Sequence, residues 1–350
     1  MRALRLRFFE LHHKLKSVIK KFTSSKILAI PVVILFLSTY FFIIGKMKKN
    51  AESEIGNSLE TVLVTSQQAL KSWQSTLLAT TKVWAQSKEI KKMVVELLRV
   101  PHESLKESKW QPAIRQHLIS ILKTHDYRGF FIIDKDRKNL SSLRDQNIGA
   151  QNLLSKQDGF FKQIWQGKTV ISEMIESDVV LKGMLQVSIF TGSPIVNDNG
   201  EVIAAFCFRI DPSTHFSKIL KRGRIGGSGE TYAISKKGMM ASNTRFREQL
   251  LKINLLKKNQ YAPLNIRVAD PGSNLAETPK ANIAVNAPLT LMAKSVINSP
   301  GKMKIQSHLT GYRDYRGVFV AGAWVWDDEL KLILMRPMRV FKKIKEQYRF

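Results

Sequence analysis

The chain holds a single cysteine, Cys207, in 350 residues. That excludes an internal disulfide, and with it the small disulfide-stapled secreted module; a larger extracytoplasmic domain resting on its own core stays open. Acid is also scarce, with 28 Asp and Glu against 56 Lys and Arg and a formal net charge of +28. Such a balance points to an anionic partner, whether nucleic acid, a membrane surface or an acidic ligand, and says nothing about fold. The seven histidines include no H-E-x-x-H and no paired ligand spacing, so neither a metal nor another cofactor is expected. "GRIGGSGE", Gly223 to Glu230, has the glycines of a phosphate loop. It lacks the lysine and follows a helix rather than a strand, so it reads as a linker. Cys207 falls in mid-strand, where a buried small hydrophobe is the ordinary role. No catalytic constellation is left, and the chain reads as a non-enzyme.

What is present begins with "ILAIPVVILFLSTYFFIIG", Ile27 to Gly45, 19 residues without a charge. At about 1.5 Å per residue this nearly spans a hydrocarbon core of about 30 Å. A core helix is rarely apolar all round, and no small-x-small cleavage site follows, so the run reads as an uncleaved transmembrane helix. Eight cations precede it (Arg2, Arg5, Arg7, Lys14, Lys16, Lys20, Lys21 and Lys26), whereas Lys46, Lys48 and Lys49 follow and are soon offset by Glu52 and Glu54. The positive-inside bias then places the N-terminus in the cytoplasm and the rest outside, as a single-pass protein of the inner membrane with a periplasmic or extracellular domain. The basic tail reads equally as an amphipathic helix on anionic lipid and as a purely topogenic charge cluster.

From Ala51 to about Leu98 there is no proline, and apolar residues recur at Ile55, Leu59, Val62, Ala69, Trp73, Leu77 and Trp84. The spacing predicts one long helix with a narrow apolar stripe, ended by Pro101. A second helix is predicted over about Pro112 to Lys123. After Asp126 the texture becomes that of strands, and it repeats. "GFFIIDKDRKNLSS", Gly129 to Ser142, is echoed 101 residues later by "ETYAISKKGMMASN", Glu230 to Asn243. "NDNGEVIAAF", Asn197 to Phe206, is echoed at an offset of 117 by "DYRGVFVAGA", Asp314 to Ala323. Two echoes in the same order predict two copies of one α+β module. In "GYRDYRGVFVAGAWVW", residues 311 to 326, Trp324 and Trp326 share one strand face; as the expected topology puts this region on the outer side of the membrane, away from nucleic acid, core packing is favoured over a stacking surface, and no nucleic-acid partner is expected.

A membrane anchor, a long helix and two α+β modules resemble the double Cache sensor domain, the extracytoplasmic ligand-binding part of bacterial chemoreceptors, histidine kinases and cyclic-nucleotide enzymes. The residues that carry the resemblance are "GFFIIDKDRKNLSS", "NDNGEVIAAFCFRID", "GSGETYAISKKGMMASN" and above all "GYRDYRGVFVAGAWVW". It covers about Ala51 to Pro337 and implies the fold class α+β, with one transmembrane helix, a long stalk helix and two tandem PAS-like modules, each with an antiparallel sheet. The layout expected is a basic tail (1–26), a transmembrane helix (27–45), a stalk helix and connection (46–111), a membrane-distal module (112–222), a membrane-proximal module (223–337) and a basic C-terminal segment (338–350).

The resemblance also implies a small-molecule ligand in the distal module, between its sheet and the segment Asp158 to Ser172. Amino-acid-binding relatives carry an Arg-x-Trp-Tyr element and a later acid; this chain has "DGFF", Asp158 to Phe161, at the first place and Arg209 near the second. The candidate ligand-binding residues are Phe160, Phe161, Trp165, Gln186, Ser188, Arg209 and Asp211. An inward Arg209 favours an anionic ligand through forked, charge-assisted contacts, with the aromatic residues as walls; an arginine on a solvent face is the competing reading. The family usually continues into a second span and an output domain, whereas this chain stops after a short basic segment. It is expected to be either the sensor portion of a longer receptor or a single-span sensor that signals through a homodimer or a separate partner. The alternative function is a membrane-tethered basic scaffold or adhesion protein binding anionic envelope polymers.

Overall fold

The computed structural model describes residues 26–178, 187–224, 227–277, 286–297 and 305–339. The basic N-terminal tail, Gln186, part of the glycine-rich linker and nearly all of the C-terminal basic segment lie outside the described residues. The chain divides into two compact units, Met1–Ile55 and Gly56–Phe350.

Helix α1 runs over Lys26–Ala85. In the first unit its side chains from Ile30 to Phe42 are exposed and almost all apolar, and by length and composition the helix can cross a membrane. In the second unit the buried line of α1 runs through Leu59, Leu63, Ser66, Leu70, Gln74, Leu77, Thr81 and Ala85. This is narrower and more polar than the stripe expected from sequence, because Val62, Ala69, Trp73 and Trp84 flank it half-buried. The polar members are bonded: Ser66 and Thr81 donate to carbonyls one turn back, and Thr81 Oγ1 also lies 2.6 Å from Thr191 Oγ1. The single helix expected as far as Leu98 is broken. Ser87 leaves the helical conformation at ψ 131° and caps α2 (Lys88–Leu97), its hydroxyl accepting from the Ile90 amide. A serine competes for backbone donors and so favours a cap over a helix interior. Helix α3 (Trp110–Thr124) holds Pro112 in its first turn and buries Ile114, Leu118 and Leu122.

The described residues hold seven α-helices and ten strands. The first sheet comprises β1 (Gly129–Ile133), β2 (Asn139–Ser142), β3 (Val170–Ile171), β4 (Ile175–Glu176), β5 (Val187–Val196) and β6 (Val202–Ile210). Its order is β2-β1-β6-β5-β3, with β4 also on β5, and its pairs are antiparallel. The second sheet, β7 (Tyr232–Ser235), β8 (Gln306–Arg313), β9 (Phe319–Asp327) and β10 (Leu332–Arg339), has the order β7-β10-β9-β8 and is antiparallel as well. The α+β class with a long helix and two tandem sheet modules is therefore borne out.

The sequence echoes are structural ones. Asp134 and Ser235, 101 residues apart, open equivalent turns: each amide donates to the carbonyl four residues on, and the residues with positive φ are Arg137 and Gly238. The second hairpin departs from the first after its turn. Where β2 returns along β1, the second copy makes only the bridge Ile234↔Met240, and Met240 then exchanges backbone bonds with the 264–266 segment. Trp324 and Trp326 are buried in the core of the second module with Tyr232, Tyr312 and Tyr315, as the core reading requires.

The two faces of β6 do different work. Phe206 and Phe208 pack with α1 and α3 residues, including Leu77, Ala85, Ile114 and Leu118. Ala205 and Cys207 pack on the other face with Phe131, Phe190 and α4 (Asp158–Trp165). Alternation along the strand places Arg209 on this second face.

Candidate functional site

Arg209 lies on β6 directly opposite Phe190 of β5 and is only 7% exposed. Its guanidinium centre is 5.9 Å from the Phe190 ring. The solvent-face reading of this arginine is thereby excluded. A buried guanidinium needs its donors satisfied, and here each nitrogen finds an oxygen. Nε donates to Ser188 Oγ at 3.1 Å, Nη2 donates to Ser177 Oγ, and Nη1 lies 2.8 Å from Asp178 Oδ1. Strand β4 makes this possible. It pairs Ile175 with Ser188 and Glu176 with Val187, so the next residues, Ser177 and Asp178, arrive over the arginine. Burial lowers the Arg209 pKa from its ordinary value, and Asp178 is the main opposing influence.

Asp178 is held from two sides, since Arg144 Nη2 also approaches its Oδ1 at 3.6 Å. Its side chain is 30% exposed. Asp211, just past β6, is buried; its Oδ2 pairs with Arg128 at 3.2 Å and its Oδ1 accepts from the Ser213 amide. The site is thus a cluster of three arginines and two aspartates at one end of the first sheet.

Of the candidate residues, Ser188 and Arg209 meet directly, and Asp211 stands close enough to act on Arg209 electrostatically. Phe160 and Phe161 sit on the same sheet face but in the Cys207 row, where Phe160 and Ile164 crowd Gly192 so closely that a Cβ there would lie 2.6 Å from Phe160 Cζ. Trp165 packs half-buried at the edge of that cluster. Phe160 also lines a cavity of about 500 Å³ shared with Asp158, Val170 and Glu173 and with Asp328 and Glu329 of the β9–β10 turn; Arg209 does not line it. Ser177, Asp178 and Arg144 were missed from sequence. The available signal was the cluster of acids Glu173, Glu176 and Asp178 within a strongly basic chain.

Cys207 is wholly buried, and burial pushes its thiol pKa up. Among the described residues, no group of three or more His, Cys, Asp or Glu could hold a metal ion.

No family model matches the chain, and no curated protein matches it in sequence. Solved structures similar to it include sensor and ligand-binding domains. The sensor domain of the Vibrio cholerae histidine kinase DctB aligns at 14% identity with a TM-score of 0.49, covering 84% of this chain and 99% of that one. The ligand-binding domain of the Campylobacter jejuni chemoreceptor Tlp3, in complex with L-valine, aligns at 12% identity with a TM-score of 0.46, covering 85% and 96%. The Escherichia coli DcuS sensor domain aligns at 18% identity with a TM-score of 0.33, covering 43% and 98%.

Proposed function

We propose that the chain is a membrane-anchored extracytoplasmic sensor whose distal module, 112–222, takes a small anionic ligand at Arg209. The observation that carries this reading is the Arg209–Asp178 pair. A buried guanidinium on the sheet face is closed by a carboxylate from a part-exposed segment, so a ligand carboxylate can replace Asp178 without leaving the arginine unpaired. Ser177 and Ser188 then supply neighbouring hydroxyls to the same ligand.

Transmission follows from the two faces of β6. A ligand that moves Arg209 and its strand acts on Phe206 and Phe208, which pack with Leu77 and Ala85 of α1. Only a difference in affinity for two packings of α1 produces a signal. In this reading the N-terminus is cytoplasmic, 223–337 forms the membrane-proximal module, the protein binds rather than catalyses, and output passes through a second copy or a separate protein.

The test is calorimetric titration of the full chain in non-ionic detergent with mono- and dicarboxylates. Saturable binding of one carboxylate class that is lost in Arg209→Ala is expected. Binding unchanged in Arg209→Ala overturns the assignment. Binding of polyanions alone, fading with salt, would favour the scaffold reading suggested by the net charge of +28.

A further inference from the structure

A second cavity lies between the β9–β10 turn and α1, with a volume of about 520 Å³. Leu78 and Ala79 of α1 and Trp326 line it beside the polar Gln74, Ser75 and Thr169. Asp327 lines it as well and is only 1% exposed. One oxygen of that carboxylate is fully used: Oδ1 accepts from Gln74 Nε2 at 2.9 Å and from the Leu330 amide at 3.0 Å. The other, Oδ2, is buried without a hydrogen-bond partner among the described residues. No cation pairs with Asp327 there. A buried charged oxygen left without a donor is costly, and such groups are ordinarily bonded.

Asp328 and Glu329 add two exposed carboxylates at the same turn, and Asp328 accepts from the Trp326 indole at 2.7 Å. Lys71 and Lys82 also line the cavity but are exposed, and neither forms an ion pair with these acids.

We propose that the cleft between α1 and the β9–β10 turn is a binding site for a primary alkylammonium ion. The ammonium donates to Asp327 Oδ2 and the alkyl chain lies against Leu78 and Ala79. The charge is opposite to that expected at Arg209, so this is a separate site. It joins α1 to the second sheet, and its occupant therefore bears on the same helix as the Arg209 strand.

The experiment is titration of the full chain in non-ionic detergent with n-butylammonium chloride, followed by calorimetry and tryptophan fluorescence, with n-butanol at matched ionic strength as the neutral probe. Asp327→Asn keeps an oxygen for Gln74 and Leu330 while removing the charge. Ala79→Trp, at an exposed helix position, fills the cleft and tests the same site independently of Asp327. Expected are saturable binding of one equivalent of n-butylammonium, weakening of about tenfold or more in Asp327→Asn, and loss of binding in Ala79→Trp. Equal binding of n-butanol, non-saturable uptake, or wild-type affinity in a folded Asp327→Asn or Ala79→Trp variant would overturn the proposal.

Discussion

Asn197 and Asp314, 117 residues apart, cap their turns with the same two bonds. Asn197 Oδ1 accepts from the amides of Asn199 and Glu201, at 3.0 and 2.8 Å, and Asp314 Oδ1 accepts from those of Arg316 and Val318, at 2.8 and 3.0 Å. The side chain takes the place of a backbone acceptor in a tight turn. In each case a glycine three residues on adopts positive φ, Gly200 at 84° and Gly317 at 75°, before the long strand begins. The two turns differ in what surrounds them. Asp314 is buried and its Oδ2 also binds the buried Arg316 at 2.7 Å, whereas Asn197 is half-exposed.

That difference sets the cost of removing each cap. Asn197→Ala should lower stability by about 1 kcal/mol, the net worth of a modest hydrogen-bonded turn. Asp314→Ala should cost about 3–5 kcal/mol, because it leaves the Arg316 charge buried and unpaired. Denaturant unfolding of the two variants compares them directly, and equal losses would refute the ranking.

The paired glycines give a second contrast. Both need a left-handed backbone, so alanine at either strains the turn by about 1–2 kcal/mol. A Cβ at Gly200 meets open space, whereas at Gly317 it would fall 1.7 Å from the Ser273 carbonyl oxygen. Gly317→Ala should therefore destabilise well beyond Gly200→Ala, enough to be seen as a larger drop in Tm.

Glu230 lies buried at the start of the second module, accepting from Thr244 and the Arg245 amide on one oxygen and from Tyr315 on the other. Burial raises its pKa above the ordinary 4.5, with the Arg245 amide and Arg316 opposing. The folded state thus holds this proton more tightly than the unfolded chain does. Its contribution is fully present below pH 4.5 and is lost as pH rises through the raised folded value. Glu230→Gln should flatten the fall of stability with pH above 4.5, measured by denaturant midpoints across pH. An unchanged slope would contradict the direction of the shift.

Asp178 holds Arg209 Nη1 at 2.8 Å, and in the proposed anion site it would compete with an incoming carboxylate. Neutralising it in Asp178→Asn should strengthen carboxylate binding by several-fold, of the order expected for one part-exposed charge pair. Weaker binding in this variant would mean that Asp178 helps to form the site.

Local chemistry determined much of this protein without reference to its tertiary structure. An uncharged run from Ile27 to Gly45, the turn glycines at 200 and 317, and runs of β-formers at offsets of 101 and 117 are properties of neighbouring residues, and they defined the apolar helix, the turns and the duplicated modules. The break at Ser87 was harder to see, because a serine inside a helical pattern is uncommitted until its hydroxyl finds the Ile90 amide. The candidate site was legible only in part. Arg209 and Ser188 lie on paired strands whose alternation can be counted, but Asp178 reaches Arg209 only through the pairing of β4 with β5, a two-residue ladder with no sequence signature of its own. Tertiary structure likewise decided that Phe160 fills the core beside Gly192, with Phe161 in the same cluster, instead of walling the arginine, since which row of a sheet a helix covers depends on packing between segments distant in sequence.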